Sequence, residues 1–326
     1  MTDPRHLAAW RAYFIPGTEV LKNKLGATDA RTLEEGERKI TALALPDLRA
    51  NPPPLTPEGH REVHHRLFGE VYPWAGLYRN VSLNKEGTRF AAPERIEAAL
   101  QESYGRLRDE RFLRGADRER FVDRAALYLA QLNLVHPFRE GNGRAQRVML
   151  QALGREAGHP LEFRSISAER MSQASVDASD ARSPKLDGLR DILREAIDPD
   201  RVAVFDKMRP LLEALRRDGH FDWNKAAIAV ARPGERLVGV ATLPREGDRM
   251  FMIRTASGRL AIATLAPGQD MPAAGARLSH IEPMRGNERG QGAPPQHSAR
   301  PEPAGHDVRQ ASANGWPQDQ GRRRER

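Results

Sequence analysis

HPFREGNGRAQR, from His136 to Arg147, is the stretch that decides how this chain is read. It sets a base, an acid and a glycine turn into one loop ahead of a helix. Upstream, from Glu119 to Val135, the apolar positions Phe121, Ala125, Tyr128 and Leu132, with Val122 and Leu129 beside them, recur at helical spacing. That face is broad enough to be mostly buried. Pro137 disfavours helical geometry at the residue before it, so the helix is expected to end at His136 and present the imidazole there. Phe138 is the loop's apolar residue and is expected to pin it to the core.

Gly141, Asn142 and Gly143 can take positive φ, which would let consecutive backbone N–H groups converge as an anion nest. A helix expected to begin at Arg144 adds its free N–H groups to the same place. Arg144 and Arg147 oppose the macrodipole of a first helical turn unless an anion lies between them. Val148, Met149, Ala152 and Leu153 carry the helix on, and Gly158 with Pro160 ends it. Glu140 is the loop's carboxylate, and one carboxylate with phosphate oxygens and waters is a common setting for Mg²⁺. His136, with an ordinary pKa of about 6.5, reads as a general base at neutral pH. Taken singly, a histidine before proline, a GNG turn and two helical arginines are ordinary features. Together they suit transfer of part of a nucleoside triphosphate, a reaction that rests on positioning and charge neutralisation.

The string resembles the signature of the Fic family: His, any residue, Phe, any residue, Asp or Glu, then GNGR, two residues and Arg. Every defining position is matched. Tyr13 to Lys24 (YFIPGTEVLKNK) and Thr32 to Leu45 (TLEEGERKITALAL) are similar to the amino-terminal segments of bacterial Fic toxins and type IV secretion effectors. The resemblance implies a helical fold and a protein adenylyltransferase, moving AMP from ATP to a Tyr, Thr or Ser hydroxyl of a target protein and releasing pyrophosphate. It implies that His136 deprotonates the hydroxyl and that Glu140 binds Mg²⁺. Gly141, Asn142, Gly143 and Arg144 would hold phosphates, and Arg147 the terminal one. Relatives that phosphorylate carry Lys at the position of Gly143, so adenylyl transfer is preferred.

Leu77 to Ala91 (LYRNVSLNKEGTRFA) alternates apolar residues at Leu77, Val81 and Leu83 before the turn NKEGT, a hairpin signal in an otherwise helical chain. In a Fic protein it would be the flap, with Lys85, Glu86, Gly87, Thr88, Arg89 and Phe90 positioning the target by backbone pairing. Many relatives also carry an inhibitory helix with Ser or Thr, three residues, Glu, then Gly or Asn. Ser82 to Gly87 and Thr242 to Gly247 match by spacing, but the first falls in the flap and the second holds Pro244 in a strand-like region. Inhibition is therefore expected in trans, from a small antitoxin docking on Arg147.

The chain has 326 residues, a net charge of +8 and no cysteine, so disulfide and thiol chemistry are excluded. No signal peptide or membrane span is legible, and a cytoplasmic setting is expected, with type IV delivery into a host or recipient cell as the alternative. The Arg-rich run Arg106 to Arg120 reads as a solvated helix face. Thr56 with Pro57 should start a helix after the break ANPPPLTPEG, Ser167 one over Ala168 to Ala181, and others cover Leu186 to Ile197 and Val202 to Arg217. Past residue 200, AAIAVA, RLVGVATL, RMFMIRT and RLAIATL suggest a small barrel or sheet, like the oligonucleotide-binding (OB)-like domain of Fic effectors. Its few aromatics, Phe221, Trp223 and Phe251, make a poor stacking platform, so a spacer role is expected rather than nucleic-acid binding.

The expected fold is mainly α. A Fic bundle with a hairpin flap (1–198) precedes a β-rich OB-like unit (199–284), and the Gly-, Pro- and Arg-rich tail (285–326) should be disordered. Two other readings stand beside adenylyl transfer: a basic nucleic-acid binder with a vestigial Fic loop, and a Fic enzyme transferring UMP or phosphate. A topoisomerase subunit or a small GTPase are both compatible targets.

Overall fold

The computed structural model describes residues 4–278, apart from 86–87, 181–182, 220, 233–234, 246, 248 and 266–267. Its centre is α5 (Arg118–Val135), started by Asp117, whose side chain accepts the Arg120 N–H at 2.9 Å. The helix is buried nearly all round, from Phe121 and Val122 through Ala125, Leu129 and Ala130 to Val135, as a core helix must be. Against it lie α4 (Ile96–Asp109), α6 (Asn142–Ala157), α7 (Ala168–Ala178) and α8 (Asp187–Ile197). α2 (Ala30–Ala50) and α3 (Pro57–Phe68) pack on α6 and on each other, behind a short α1 (Pro4–Arg11). Thr56 caps α3 by accepting the Gly59 N–H at 3.1 Å, with Pro57 in the first turn.

Two boundaries differ from expectation near the loop. α6 begins at Asn142 rather than Arg144, and of the three nest residues only Gly141 takes positive φ, at 83°. The turn is closed by a side chain instead, as described below. The hairpin is also shorter than Leu77 to Ala91: β1 (Asn84–Lys85) pairs antiparallel with β2 (Thr88–Arg89), and Glu86 and Gly87 lie outside the described residues. Leu77 is 54% exposed, while Val81, Leu83 and Phe90 turn onto Ala9, Trp10 and Tyr13 of the amino-terminal arm. Backbone that would have extended the ladder is bonded elsewhere, Arg79 N–H to Pro137 O at 2.9 Å and Ala91 N–H to Leu134 O at 3.0 Å.

α8 ends on Asp198, whose carboxylate accepts the Asp200 N–H and so caps α9 (Pro199–Arg217) with no linker between them. Pro199 fits a first helical turn, which is why α9 starts before Val202. Five strands follow: β3 (Ile228–Val230), β4 (Gly239–Arg245), β5 (Met250–Thr255), β6 (Leu260–Thr264) and β7 (Arg277–Leu278). They make a sheet in the order β3-β6-β5-β4-β7, with β3 and β6 parallel and the other pairs antiparallel. Period-two alternation divides β5: Met250 and Met252 pack with Phe205, Met208 and Leu212 of α9, while Phe251 and Ile253 join Ala241, Ala261 and Ala263 in a second cluster. The tail from 285 lies outside the described residues.

Phe138 is fully buried and its ring stacks on His64 at 3.8 Å. Phe138→Ala is expected to cost about 3–5 kcal/mol of folding free energy by urea denaturation. A loss below about 1 kcal/mol would show that Phe138 does not anchor the loop.

Candidate active site

α5 stops where the sequence places the break. His136 is left-handed, φ 46° and ψ 61°, and its N–H closes the last helical turn on Leu132 O at 3.0 Å. The carbonyls left open at this end are taken by Arg79, which is 2% exposed. Its Nε donates to His136 O at 2.8 Å, Nη1 to Val81 O at 2.6 Å, and Nη2 to Ala91 O at 2.6 Å and Val135 O at 3.2 Å. Burial pulls its pKa down to about 10, so the guanidinium stays charged at neutral pH, favourably placed at a helix carboxyl end. One buried cation thereby ties the base of the flap to the His136 turn.

The His136 ring stacks on Phe90 at 3.8 Å, the planes 11° apart. Burial first, then Arg79 and Lys85, hold its pKa down to about 4, the Asn133 backbone acting the other way. The ordinary value assumed from sequence is corrected: the imidazole is neutral across the physiological range.

The other half of the loop is set by Asn142. Its Oδ1 accepts the Phe138 N–H at 2.9 Å and its Nδ2 donates to Phe138 O at 2.8 Å. His64 holds the turn from below. Its Nδ1 accepts the Gly76 N–H at 2.9 Å, which leaves Nε2–H to donate to Glu140 O at 2.9 Å. Gly141 is required twice over, by φ 83° and because a Cβ there would lie 2.4 Å from the Phe68 ring. Glu140 Oε1 accepts the Gly141 N–H at 3.0 Å. A Cβ on Gly143 would meet nothing nearer than Arg147 Nη1 at 3.7 Å, so that side of the first turn is open. The N–H groups of Asn142, Gly143 and Arg144 have no intrahelical acceptor.

His136, Glu140, Gly141, Asn142, Gly143 and Arg147 line one cavity of about 340 Å³. Arg144 does not. It is ion-paired to Glu37 of α2, donates to Thr41 Oγ1 at 3.4 Å, and lies over the Phe68 ring at 4.8 Å. Tyr72 donates to the same carboxylate. Arg144, expected as a phosphate clamp, here makes a partly buried tie between α6 and α2 and stands outside the cavity lining. Arg147 has no carboxylate paired with it among the described residues, and burial and Arg144 lower its pKa. Arg139 reaches the cavity from the other side, its guanidinium 4.5 Å from the Trp10 ring and 5.2 Å from Phe14. Glu140 is the one acidic residue lining the cavity among the described residues.

The Fic/DOC family model matches residues 54–153. A probable protein adenylyltransferase Fic of Salmonella typhimurium is 32% identical over 189 residues, 58% of this chain and 93% of its own length. The chain belongs to the Fic/DOC family. Protein adenylyltransferase VbhT of Bartonella schoenbuchensis is 36% identical over 168 residues, 51% of this chain, which spans only 35% of that longer protein. The type IV secretion system effector BepA superposes with a TM-score of 0.65 at 25% identity, over 85% of this chain and 98% of its own. BepC of Bartonella tribocorum, solved with bound AMPPNP, gives 0.53 at 28% identity, over 57% and 96%. Both curated relatives are protein adenylyltransferases by name, that is, nucleotidyltransferases.

Of the flap residues named from the Fic signature, Lys85, Thr88 and Phe90 line the cavity, Arg89 is exposed away from it, and Glu86 and Gly87 lie outside the described residues. Sequence reasoning missed Asn133, Gln146, Ser172 and Ser175, which line the cavity too, and the supporting His64, Arg79 and Glu37. Glu37 lies inside the quoted TLEEGER string, but nothing in that string points to Arg144.

His60 is fully buried against Phe138 and Tyr104, and burial takes its pKa to about 3. His64 is held to about 4 for the same reason. With His136 they bind fewer protons folded than unfolded. Their contribution to stability is full above the unfolded value of about 6.5 and is lost as pH falls toward the folded values. The melting temperature is expected to be flat above pH 7 and to fall between about pH 6.5 and 4, above the carboxylate range. A curve flat down to pH 4.5 would refute the buried neutral imidazoles.

Proposed function

We propose that this Fic protein transfers AMP from ATP to a Tyr, Thr or Ser hydroxyl of a target protein, releasing pyrophosphate. What carries the reading is convergence: a neutral base, open helical N–H groups and, among the described residues, a single carboxylate and an arginine with no carboxylate paired to it face one cavity. The triphosphate would lie across the first turn of α6, with Gly143 leaving the backbone open to it and Arg147 meeting the terminal phosphate. In-line attack by the target oxygen on the α-phosphorus displaces pyrophosphate, and the hydroxyl proton passes to His136. A strip of flap edge at Lys85 and Thr88 presents the target, with Phe90 fixing the plane of the imidazole.

Glu140 fits Mg²⁺ of this kind. No group of three or more His, Cys, Asp or Glu is gathered among the described residues, so a metal here would need substrate oxygens to complete its shell. Bound there, the ion would neutralise phosphate charge. We assign residues 1–198 to the catalytic unit and 199–284 to the β-rich unit. Inhibition in trans by a small antitoxin is supported by Arg147, which has no carboxylate paired with it among the described residues, and by the places of the two inhibitory-motif strings. Ser82 precedes β1, and Thr242 lies within β4. A toxin or effector role accords with the Bep likeness. Among the described residues no helix is long and apolar enough to cross a membrane.

The deciding experiment adds the protein, Mg²⁺ and α- or γ-labelled ATP to bacterial and animal lysates. A protein band labelled from the α position alone, absent with His136→Ala and no longer Mg²⁺-dependent with Glu140→Ala, is expected. Label from the γ position, or label that persists with His136→Ala, overturns the reading. On an identified target, the acid limb of kcat/KM should lie near pH 4 to 5 rather than 6.5, because His136 must be neutral to accept the proton. A midpoint at 6.5 would show that the ring is solvated in the working enzyme.

A further inference from the structure

α7 carries two stripes. Ala168, Met171, Ser172, Ser175 and Val176, at helical spacing, face the catalytic cavity. The opposite stripe faces α8, and there Arg170 forks onto Glu195 at 2.7 and 2.9 Å. Glu195 Oε2 also lies 2.6 Å from Arg201 Nη2. Arg201 belongs to the first turns of α9 and is 2% exposed. Its Nε donates to Ser165 Oγ at 3.2 Å and its Nη1 to Ile228 O of β3. Two further bonds run between the same segments. Ser167 Oγ, the cap of α7, donates to Asn224 O, and Arg209 Nη2 donates to Arg164 O at 2.9 Å. The lead-in and first turn of α7, residues 164–170, are thus gripped from 201–228, while its far end is tied to α5 by Asn133 Nδ2 and Ser179 Oγ at 2.9 Å.

An 11-residue helix is marginal alone, so tertiary contacts decide where α7 sits. We propose that the β-rich unit is a working part of the nucleotide site rather than a spacer, Arg201 acting as a positioning residue that fixes α7 as the cavity wall through Glu195 and Arg170. The proposal rests on the nucleotide reading given above. Linkage makes it reciprocal: if these contacts hold α7 where the nucleotide needs it, bound nucleotide must stabilise the same contacts.

The test uses the full chain, Mg²⁺ and AMPPNP. Arg201→Met keeps most of the buried volume and removes the charge; losing one partner of a buried ion pair is destabilising, but Glu195 keeps its fork with Arg170 and so retains a cation. It is expected to bind AMPPNP about tenfold more weakly by calorimetry. Arg209→Ala, on the exposed rim, should weaken binding less, and serves if the first variant misfolds. In the unaltered chain AMPPNP should slow hydrogen exchange over residues 223–230, a change that a merely structural β unit would not show. Affinities within about twofold of the parent for a folded variant, or no added protection at 223–230, overturn the coupling. Failure of the parent chain to bind AMPPNP would instead remove the nucleotide site itself, and the coupling with it.

Discussion

One side chain closes the loop on which the rest depends. Asn142 bonds both the N–H and the carbonyl of Phe138, as a backbone partner would, and so makes the loop a rigid ring. Phe138 then sits fully buried beneath that ring against His64, and His64 in turn holds the Glu140 carbonyl. With the ring fixed at both ends, His136 and the first turn of α6 keep a constant relation, although one ends a helix and the other begins the next. Transfer at phosphorus needs that constancy, because base and phosphate cradle must flank one reacting centre.

The family, the helical class, the end of α5 at His136 and the short strands after residue 200 were legible because each rests on local rules: proline geometry, helical period and strand alternation. What was not legible shares another cause. Asn142 was read as a turn residue, when its role lies in bonds to a residue four positions earlier. Arg144 was read from its place in a first helical turn, but its partner Glu37 is 107 residues away. Arg79 sits in a stretch whose pattern shows only alternation, and its four carbonyl partners come from three separate segments. Pairings of this kind leave no period in a single sequence.

Charge follows the same division. The arginine run from Arg106 to Arg120 is in good part matched on the surface: Arg106 pairs with Glu102 and Arg114 with Glu156. Exposed pairs of this sort contribute little to stability. Around the cavity the balance reverses, with Lys85, Arg139 and Arg147 facing one carboxylate among the described lining residues. The excess of positive charge at the cavity therefore points to an anionic ligand more firmly than the chain's net charge does.

The same cations bear on the base. Arg79 and Lys85 help to depress His136, so the ring is a weak proton acceptor while the cavity holds no anion. A polyphosphate beside it would oppose those cations and raise the ring's proton affinity in the occupied state. Substrate charge would then tune the group that must accept the hydroxyl proton, which ties basicity to occupancy. Phe90 limits the other route to a stronger base: stacked on one face of the imidazole, it keeps water from that face of the protonated ring. Loosening the flap would therefore raise the resting pKa of His136 and lose the fixed ring plane together, so flap packing and base strength are one constraint seen from two sides.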